Sequence, residues 1–250
     1  MNDQVVKDKF AILVDGDNAQ PSLLEHVLVE VTKYGRITIK RIYGDWTTPN
    51  MNGWKKFLLD LAIQPVQQFR YTMGRNATDN TMIIDALDIL HRRLVDGFCI
   101  VSSDSDFTRL ATRIREDGLF VLGIGDSKTP NSFVKACDVF AYTENLVASL
   151  PPLQDTSKQS QPKTPVSTKS PGGLKELFKQ AFAVSVANDG WVKLSAFGST
   201  LRRLDPAFDP RTYGYAKLSV MLSKKFSNLI EQRRDDKVFP PGIYVRLKSR

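Results

Sequence analysis

Asp104 and Asp106, spaced i, i+2, stand directly behind the apolar run Phe98–Val101 and the pair Ser102–Ser103. A run of that length predicts a strand buried on both faces. Phe107, Leu110, Ala111 and Ile114 then recur at helical spacing. Two carboxylates at a strand end repel each other unless a cation or a proton lies between them. Capping the next helix through Ser103 or Asp104 would account for one acidic residue; a metal site accounts for both.

The same pattern recurs upstream. The pentad Phe10–Val14 runs into Asp15–Gly16–Asp17–Asn18, and the alternating stretch Arg36–Tyr43 runs into Gly44–Asp45–Trp46. An unpaired carboxylate closing a buried run is costly, so Asp15 reads as functional. Asp17 and Asn18 also suit an ordinary turn, and Asp79 also suits a helix N-cap. Asp85 and Asp88 are expected on the exposed side of the helix that Asp79 begins, and Trp46 is expected to cover the sheet end. Arg75, in the loop before Asp79, could meet a phosphate or simply stand in solvent.

Carboxylates without histidine or cysteine beside them suit a hard cation, Mg²⁺ or Mn²⁺. One or two such ions could orient a phosphodiester, activate a water and stabilise the leaving oxygen. The two histidines, His26 and His91, fall on predicted helices, and neither Cys99 nor Cys137 has metal-ligand spacing.

These residues need a scaffold that gathers them. Strand-like and helix-like segments alternate as far as Tyr142: helices near 21–33, 52–63, 79–95 and 132–137, and strands near 66–69, 119–124 and 139–142. That alternation calls for an α/β domain with a mainly parallel sheet and helices on both faces. Asp15, Asp45, Asp79, Asp104 and Asp106 then all fall on the carboxyl rim of the sheet, where such folds bind ligands. Domains are expected at 1–149 and 174–250. The Pro/Ser/Lys-rich stretch 150–173 between them reads as a flexible linker.

Of the 250 residues, 42% are hydrophobic and 25% charged, ordinary for a globular protein. No apolar run approaches a membrane span and the start is polar, so a membrane partner is not expected. With two isolated cysteines and no export signal, a reducing cytoplasm is the expected compartment. The net charge of +8 is segregated: residues 1–150 hold 17 Lys/Arg against 19 Asp/Glu, and residues 151–250 hold 18 against 8. Such a split suggests chemistry in the first half and polyanion attraction in the second. The second half reads as three helices, the last opening at Pro210–Arg211, with Leu229–Ile230 and Ile243–Leu247 paired as a basic hairpin. That is a small winged helix-turn-helix.

Two resemblances sharpen these readings. Val14-Asp15-Gly16-Asp17-Asn18, Thr78-Asp79 through Asp85-Ala86-Leu87, Ser103-Asp104-Ser105-Asp106-Phe107 and Cys137-Asp138-Val139-Phe140 resemble the NYN family of PIN-like nuclease domains. The resemblance implies a Rossmann-like sheet and Mg²⁺- or Mn²⁺-dependent cleavage of RNA to 5′-phosphate and 3′-hydroxyl ends. It implies a metal-binding catalytic quartet of Asp15, Asp79, Asp104 and Asp106, with Asn18 and Ser103 as supporting residues; Asp45 is grouped with these. Many relatives carry Lys in the loop before the second aspartate, where this chain has Arg75 and Asn76. Gly190-Trp191-Val192-Lys193-Leu194, Leu201-Arg202-Arg203-Leu204 and Phe208-Asp209-Pro210-Arg211-Thr212-Tyr213-Gly214 resemble the LOTUS, or OST-HTH, family. That resemblance implies RNA binding, or in some members binding of a protein partner. Lys217, Lys224, Lys225, Arg233, Arg234 and Lys237 are the candidate phosphate contacts.

A metal-dependent ribonuclease with a tethered RNA-capturing module is therefore the expected function. The alternative is an RNA-binding adaptor with a weak or silent nuclease fold. A phosphatase using Asp15 as phosphoryl acceptor lacks the Ser/Thr-bearing second strand end and the lysine that such chemistry needs.

Overall fold

The computed structural model describes residues 8–69, 77–147, 171–185, 190–235 and 242–248. The chain divides into two compact units, Met1–Val147 and Ala148–Arg250, and each encloses its own apolar core.

In the first unit β1 (Lys9–Asp15), β2 (Arg36–Gly44), β3 (Gln64–Gln67), β4 (Gly97–Val101), β5 (Phe120–Gly125) and β6 (Val139–Tyr142) form one sheet in the order 3-2-1-4-5-6. Every neighbouring pair is parallel. The chain winds outward from β1 to one edge, then returns across β1 and winds to the other. Right-handed crossovers therefore send the two sets of helices to opposite faces. Leu24, Val27 and Val31 of α1 (Leu24–Val31), Trp54 of α2 (Asn52–Asp60) and Leu146 of α6 (Thr143–Val147) share one core with Phe10, Ile12, Val14, Cys99, Val101, Leu122 and Ile124. The strand residues of opposite parity, among them Ala11, Leu13, Phe98, Ile100 and Val121, are buried towards the other face. That face holds α3 (Ala77–His91), α4 (Thr108–Glu116) and α5 (Asn131–Ala136). Met82 and Ala86 of α3 and Leu110, Ala111 and Ile114 of α4 are buried there. Each fully buried Leu, Ile or Phe stabilises the unit by about 1.5–3 kcal/mol.

Winding reverses between β1 and β4, so the ligand crevice of this topology opens beyond their carboxyl ends. Asp15 is the last residue of β1. Val14 is in register with Val101, which places Asp15 level with Ser102.

The second unit contains α7 (Pro171–Ser185), α8 (Leu194–Leu204) and α9 (Leu218–Lys225) with a sheet of β7 (Val192–Lys193), β9 (Gly242–Leu247) and β8 (Ile230–Asp235), in that spatial order. Both strand pairs are antiparallel. Phe178 centres the core, its ring 6.0 Å from Phe197, 6.0 Å from Phe208 and 4.8 Å from Phe226. The arrangement is a winged helix-turn-helix.

Three expectations are corrected. The first of the three helices begins ahead of the expected domain start at 174, at Pro171, a residue suited to a helix's first turn because it lacks the amide that has no partner there. The helix expected to run on from Pro210 is split. A 3₁₀ turn, Pro210–Tyr213, ends at Gly214 with φ +80°, and α9 starts at Leu218. Asp209 caps the turn by accepting the Arg211 amide at 2.8 Å, and the left-handed glycine then turns the chain away. The hairpin is also longer than expected. β8 runs through Arg233 and Arg234, which are strand residues and not part of a loop. Most of the expected linker, together with Arg75 and Lys237, lies outside the described residues. Among the described residues, no helix is long and apolar enough to cross a membrane.

Candidate metal centre

The end of β1 sets the site. Asp15 is fully buried, and both of its oxygens accept hydrogen bonds. Oδ1 takes the amides of Asp17 and Asn18 at 3.2 and 3.3 Å. Oδ2 takes Asn18 Nδ2 at 2.7 Å and Ser102 Oγ at 2.8 Å. Burial pushes the Asp15 carboxyl above its ordinary range, although all four bonds favour the charged form and oppose the shift. Ser102 in turn accepts the Asp104 amide at 3.1 Å. Asp15 thus ties together the loops behind β1 and β4, the two strands flanking the switch point.

Behind Ser102 the chain enters a 3₁₀ turn, Ser105–Phe107, which Asp104 caps by accepting the Asp106 amide on Oδ1 at 2.9 Å. Phe107 anchors the turn, fully buried against the ring of Phe133 at 6.4 Å. The cap turns Asp104 and Asp106 towards the first turn of α3, where Asp79 is 8% exposed. Ligand oxygens of Asp79, Asp104 and Asp106 lie within 4.8 Å of one another.

The electrostatics match that geometry. The Asp79 carboxyl is pushed up to about 6, first by burial and then by the charges of Asp15, Asp104, Asp106 and Asp17. Opposite oxygens of an octahedral Mg²⁺ shell stand roughly 4.2 Å apart. A group spanning 4.8 Å needs only small side-chain adjustments, or a bridging water, to take such an ion. The donors are all carboxylate oxygens, one buried, one half-buried and one exposed. They fit a hard divalent cation that keeps part of its hydration open to substrate.

Of the expected quartet, three members converge within ligand distance. Asp15 stands outside that group of three. It is close enough to be the largest charge acting on Asp79, while its oxygens serve the loops. Asn18 donates from Nδ2 to Asp15 Oδ2 at 2.7 Å. Ser103 instead accepts the Asp126 amide at 2.9 Å and ties the loop behind β4 to the one behind β5. Ser102, which the sequence analysis did not single out, is the serine that bonds Asp15 and the Asp104 amide. Strand parity carries the signal: Ser102 continues the alternation of Phe98 and Ile100, and Asp15 that of Ala11 and Leu13, so both point to the α3 face. Asp17, which also suits a turn, accepts from Thr78 Oγ1 at 3.1 Å and so fastens the β1 loop to the start of α3.

Asp45 does not join the cluster. Its Oδ1 accepts the Thr47 amide, Thr47 Oγ1 and Gln67 Nε2 at 3.2, 2.6 and 2.9 Å, so it closes its own turn against the end of β3. Trp46 covers that sheet end as expected, its indole donating to Val66 O at 3.1 Å. Asp85 is not the solvated residue expected from its helix. It accepts hydrogen bonds from Arg41 and from the Tyr43 hydroxyl of β2, and so holds α3 against the sheet. Asp88 is exposed as expected.

In the second unit Lys217, Lys224, Lys225, Arg233 and Arg234 are all exposed. Lys217 precedes α9 and Lys224 and Lys225 end it, with the Lys225 ammonium 5.7 Å from the Tyr213 ring centroid.

Comparison with known proteins agrees with this two-part layout. The family model for the NYN domain matches residues 9–145, more than half of the chain, and that for the OST-HTH/LOTUS domain matches residues 166–237. No curated protein matches. Among solved structures, a protein of unknown function from Vibrio parahaemolyticus is 21% identical with a TM-score of 0.46, covering 57% of this chain and 96% of its own. An uncharacterised protein from Nitrosomonas europaea is 26% identical with a TM-score of 0.29, covering 40% and 94%. A fragment of a protein from Chromobacterium violaceum is 31% identical with a TM-score of 0.28, covering 35% and 90%.

Proposed function

We propose that this chain, which belongs to the NYN family of PIN-like nuclease domains and carries an OST-HTH/LOTUS domain behind its NYN domain, is a divalent-metal-dependent ribonuclease whose second domain captures RNA. The observation that carries the reading is the convergence of Asp79, Asp104 and Asp106, from two separate segments, within 4.8 Å at the carboxyl edge of the sheet. A structural role explains the cluster poorly, because each carboxylate raises the cost of ionising Asp79.

Asp79, Asp104 and Asp106 are the residues that would hold Mg²⁺ or Mn²⁺. A divalent ion there supplies Lewis acidity, which makes an activated water available and neutralises charge on the phosphodiester. Asp15 adds a fourth negative charge and fixes the two loops through Asn18 and Ser102. Asp104 does two tasks, offering a ligand oxygen and capping the turn that presents Asp106. Asp17 and Thr78 hold the first turn of α3 against the β1 loop, which sets the height of Asp79. No side chain need become covalently attached to substrate. Lys217, Lys224, Lys225, Arg233 and Arg234 offer the phosphate contacts of the capture module.

Incubation of purified protein with labelled RNA and Mn²⁺ tests the reading. Wild-type protein is expected to cleave, and Asp104→Asn to cleave at least about a hundredfold more slowly, with RNA affinity unchanged within twofold. Equal background cleavage by both proteins would overturn the enzyme and leave an RNA-binding adaptor.

A further inference from the structure

Strand parity in the winged sheet separates its two faces. Val192, Ile230 and Val245 belong to the helical core, and Gln232, in register with Val245, donates to Ser219 O on that side. Residues of opposite parity must face away from the core. They are Lys193, paired with Tyr244; Arg233, also paired with Tyr244; and Arg246, paired with Glu231. Trp191, one residue before β7, continues the same parity.

On that outer face the aromatic and guanidinium groups are layered. The guanidinium carbons of Arg233 and Arg246 each lie 4.6 Å from the Trp191 ring centroid, and that of Arg233 lies 5.8 Å from the Tyr244 ring. Glu231 accepts from Arg246 Nε at 2.9 Å, which restrains the plane of that guanidinium. Gly242 leaves room for the phenol: a Cβ there would stand 3.1 Å from the Tyr244 ring and 3.8 Å from Lys193 Cε. Arg233 and Arg246 are exposed, and Trp191 and Tyr244 are half-exposed.

We propose that this outer sheet face is a stacking platform for the bases of single-stranded RNA, separate from the cationic end of α9. The reading rests on RNA being the ligand of the second domain and deepens it by naming the conformation recognised. Phosphate contact alone needs no rings, and lysine can also make it, as a point charge. Flat guanidiniums interleaved with Trp and Tyr match the π-faces of splayed bases, which a duplex keeps stacked inside itself. The cations beside the rings suit a polyanion and disfavour an apolar protein partner.

The test uses the full chain in EDTA, so that nothing is cleaved. Anisotropy would measure binding of three labelled oligomers of equal length: single-stranded RNA, the same sequence as a duplex, and an abasic strand. The double variant Arg233→Lys, Arg246→Lys keeps every charge and removes the planes, and Trp191→Ala removes the central ring. Both are expected to bind single-stranded RNA about tenfold more weakly, and to bind the duplex and the abasic strand within twofold of wild type. Lys224→Ala with Lys225→Ala is expected to weaken all three ligands together. If the charge-conserving variant binds single-stranded RNA like wild type, or loses the abasic strand equally, the platform is overturned while RNA capture stands. If wild type binds none of the three, capture itself has failed and the platform with it. Thermal unfolding of each variant, within about 3 °C of wild type, shows that a loss is not a loss of fold.

Discussion

Asp79 concentrates the tension of the site in one residue. Its carboxyl is pushed from 3.8 to about 6, by burial first and then by its acidic neighbours. Between those values the folded chain holds a proton that the unfolded chain releases. The stabilisation it contributes is therefore complete below about pH 4 and is lost as pH rises through 6. Asp79→Asn removes the repulsion while keeping the shape. In EDTA it is expected to raise Tm by about 2–4 °C at pH 7.5 and to give no gain at pH 4, measured by thermal unfolding. Mn²⁺ should invert that ranking. A cation needs the ionised carboxylates, so the Tm gain of wild type on adding Mn²⁺ should be largest above pH 7 and shrink towards pH 5, while Asp79→Asn gains little at either. Ser102 supports a separate prediction. Ser102→Ala removes one of the four hydrogen bonds on a fully buried carboxylate, at an expected cost of about 1–3 kcal/mol. Loss of Mn²⁺ affinity should accompany it, because Ser102 also holds the Asp104 amide.

Elements explain which of these relations could be read in the sequence. The apolar runs of β1, β4 and β6 and the periodic stripes of α4 and α8 are legible because each is buried along its length and ends at an abrupt polar change. The strand-end position of Asp15 and of the 104–106 pair follows directly from those runs. The split at Gly214 was hidden because Tyr213, Leu218 and Leu222 keep apolar spacing across a residue that sits in a left-handed conformation. β8 was hidden because a strand carrying Glu, Gln and two Arg has no apolar alternation to betray it. The partners of Asp85 were hidden by distance: Arg41 and Tyr43 lie 44 and 42 positions away, and only the β2–α3 packing brings them together. That contact gives α3 a function beyond packing, since it holds at mid-length the helix whose first turn presents Asp79. Burial and the neighbouring Asp85 charge push the Tyr43 hydroxyl well above its usual range, so it stays a donor. Asp85→Ala strands Arg41 and Tyr43, each partly or fully buried, and is expected to destabilise the unit by about 1–3 kcal/mol. RNA cleavage should fall more steeply than stability, measured well below Tm, because the Asp79 oxygen loses its fixed distance from Asp104.

Across the whole molecule, the proposed function would depend on dividing charge between the two units. An acidic centre would repel an RNA substrate, and residues 1–150, with 17 Lys/Arg against 19 Asp/Glu, offer little to overcome that. Residues 151–250, with 18 against 8, supply the attraction. On the proposed function, joining the two in one chain would raise the local RNA concentration available to the acidic rim. This arrangement predicts a kinetic signature. RNA capture through exposed Lys and Arg releases counterions, so binding should weaken linearly in log–log terms as salt rises, by about 0.7 per phosphate contacted on a single strand. Lys224→Ala with Lys225→Ala removes two exposed cations at the end of α9 and should lower that slope by about 1.4. The same variant should raise KM for long RNA severalfold and leave kcat within twofold, because it touches delivery and not the carboxylates. Steady-state cleavage across a salt series separates the two. A fall in kcat with an unchanged salt slope would mean that the second unit does not deliver substrate, and that the acidic rim acquires RNA by itself.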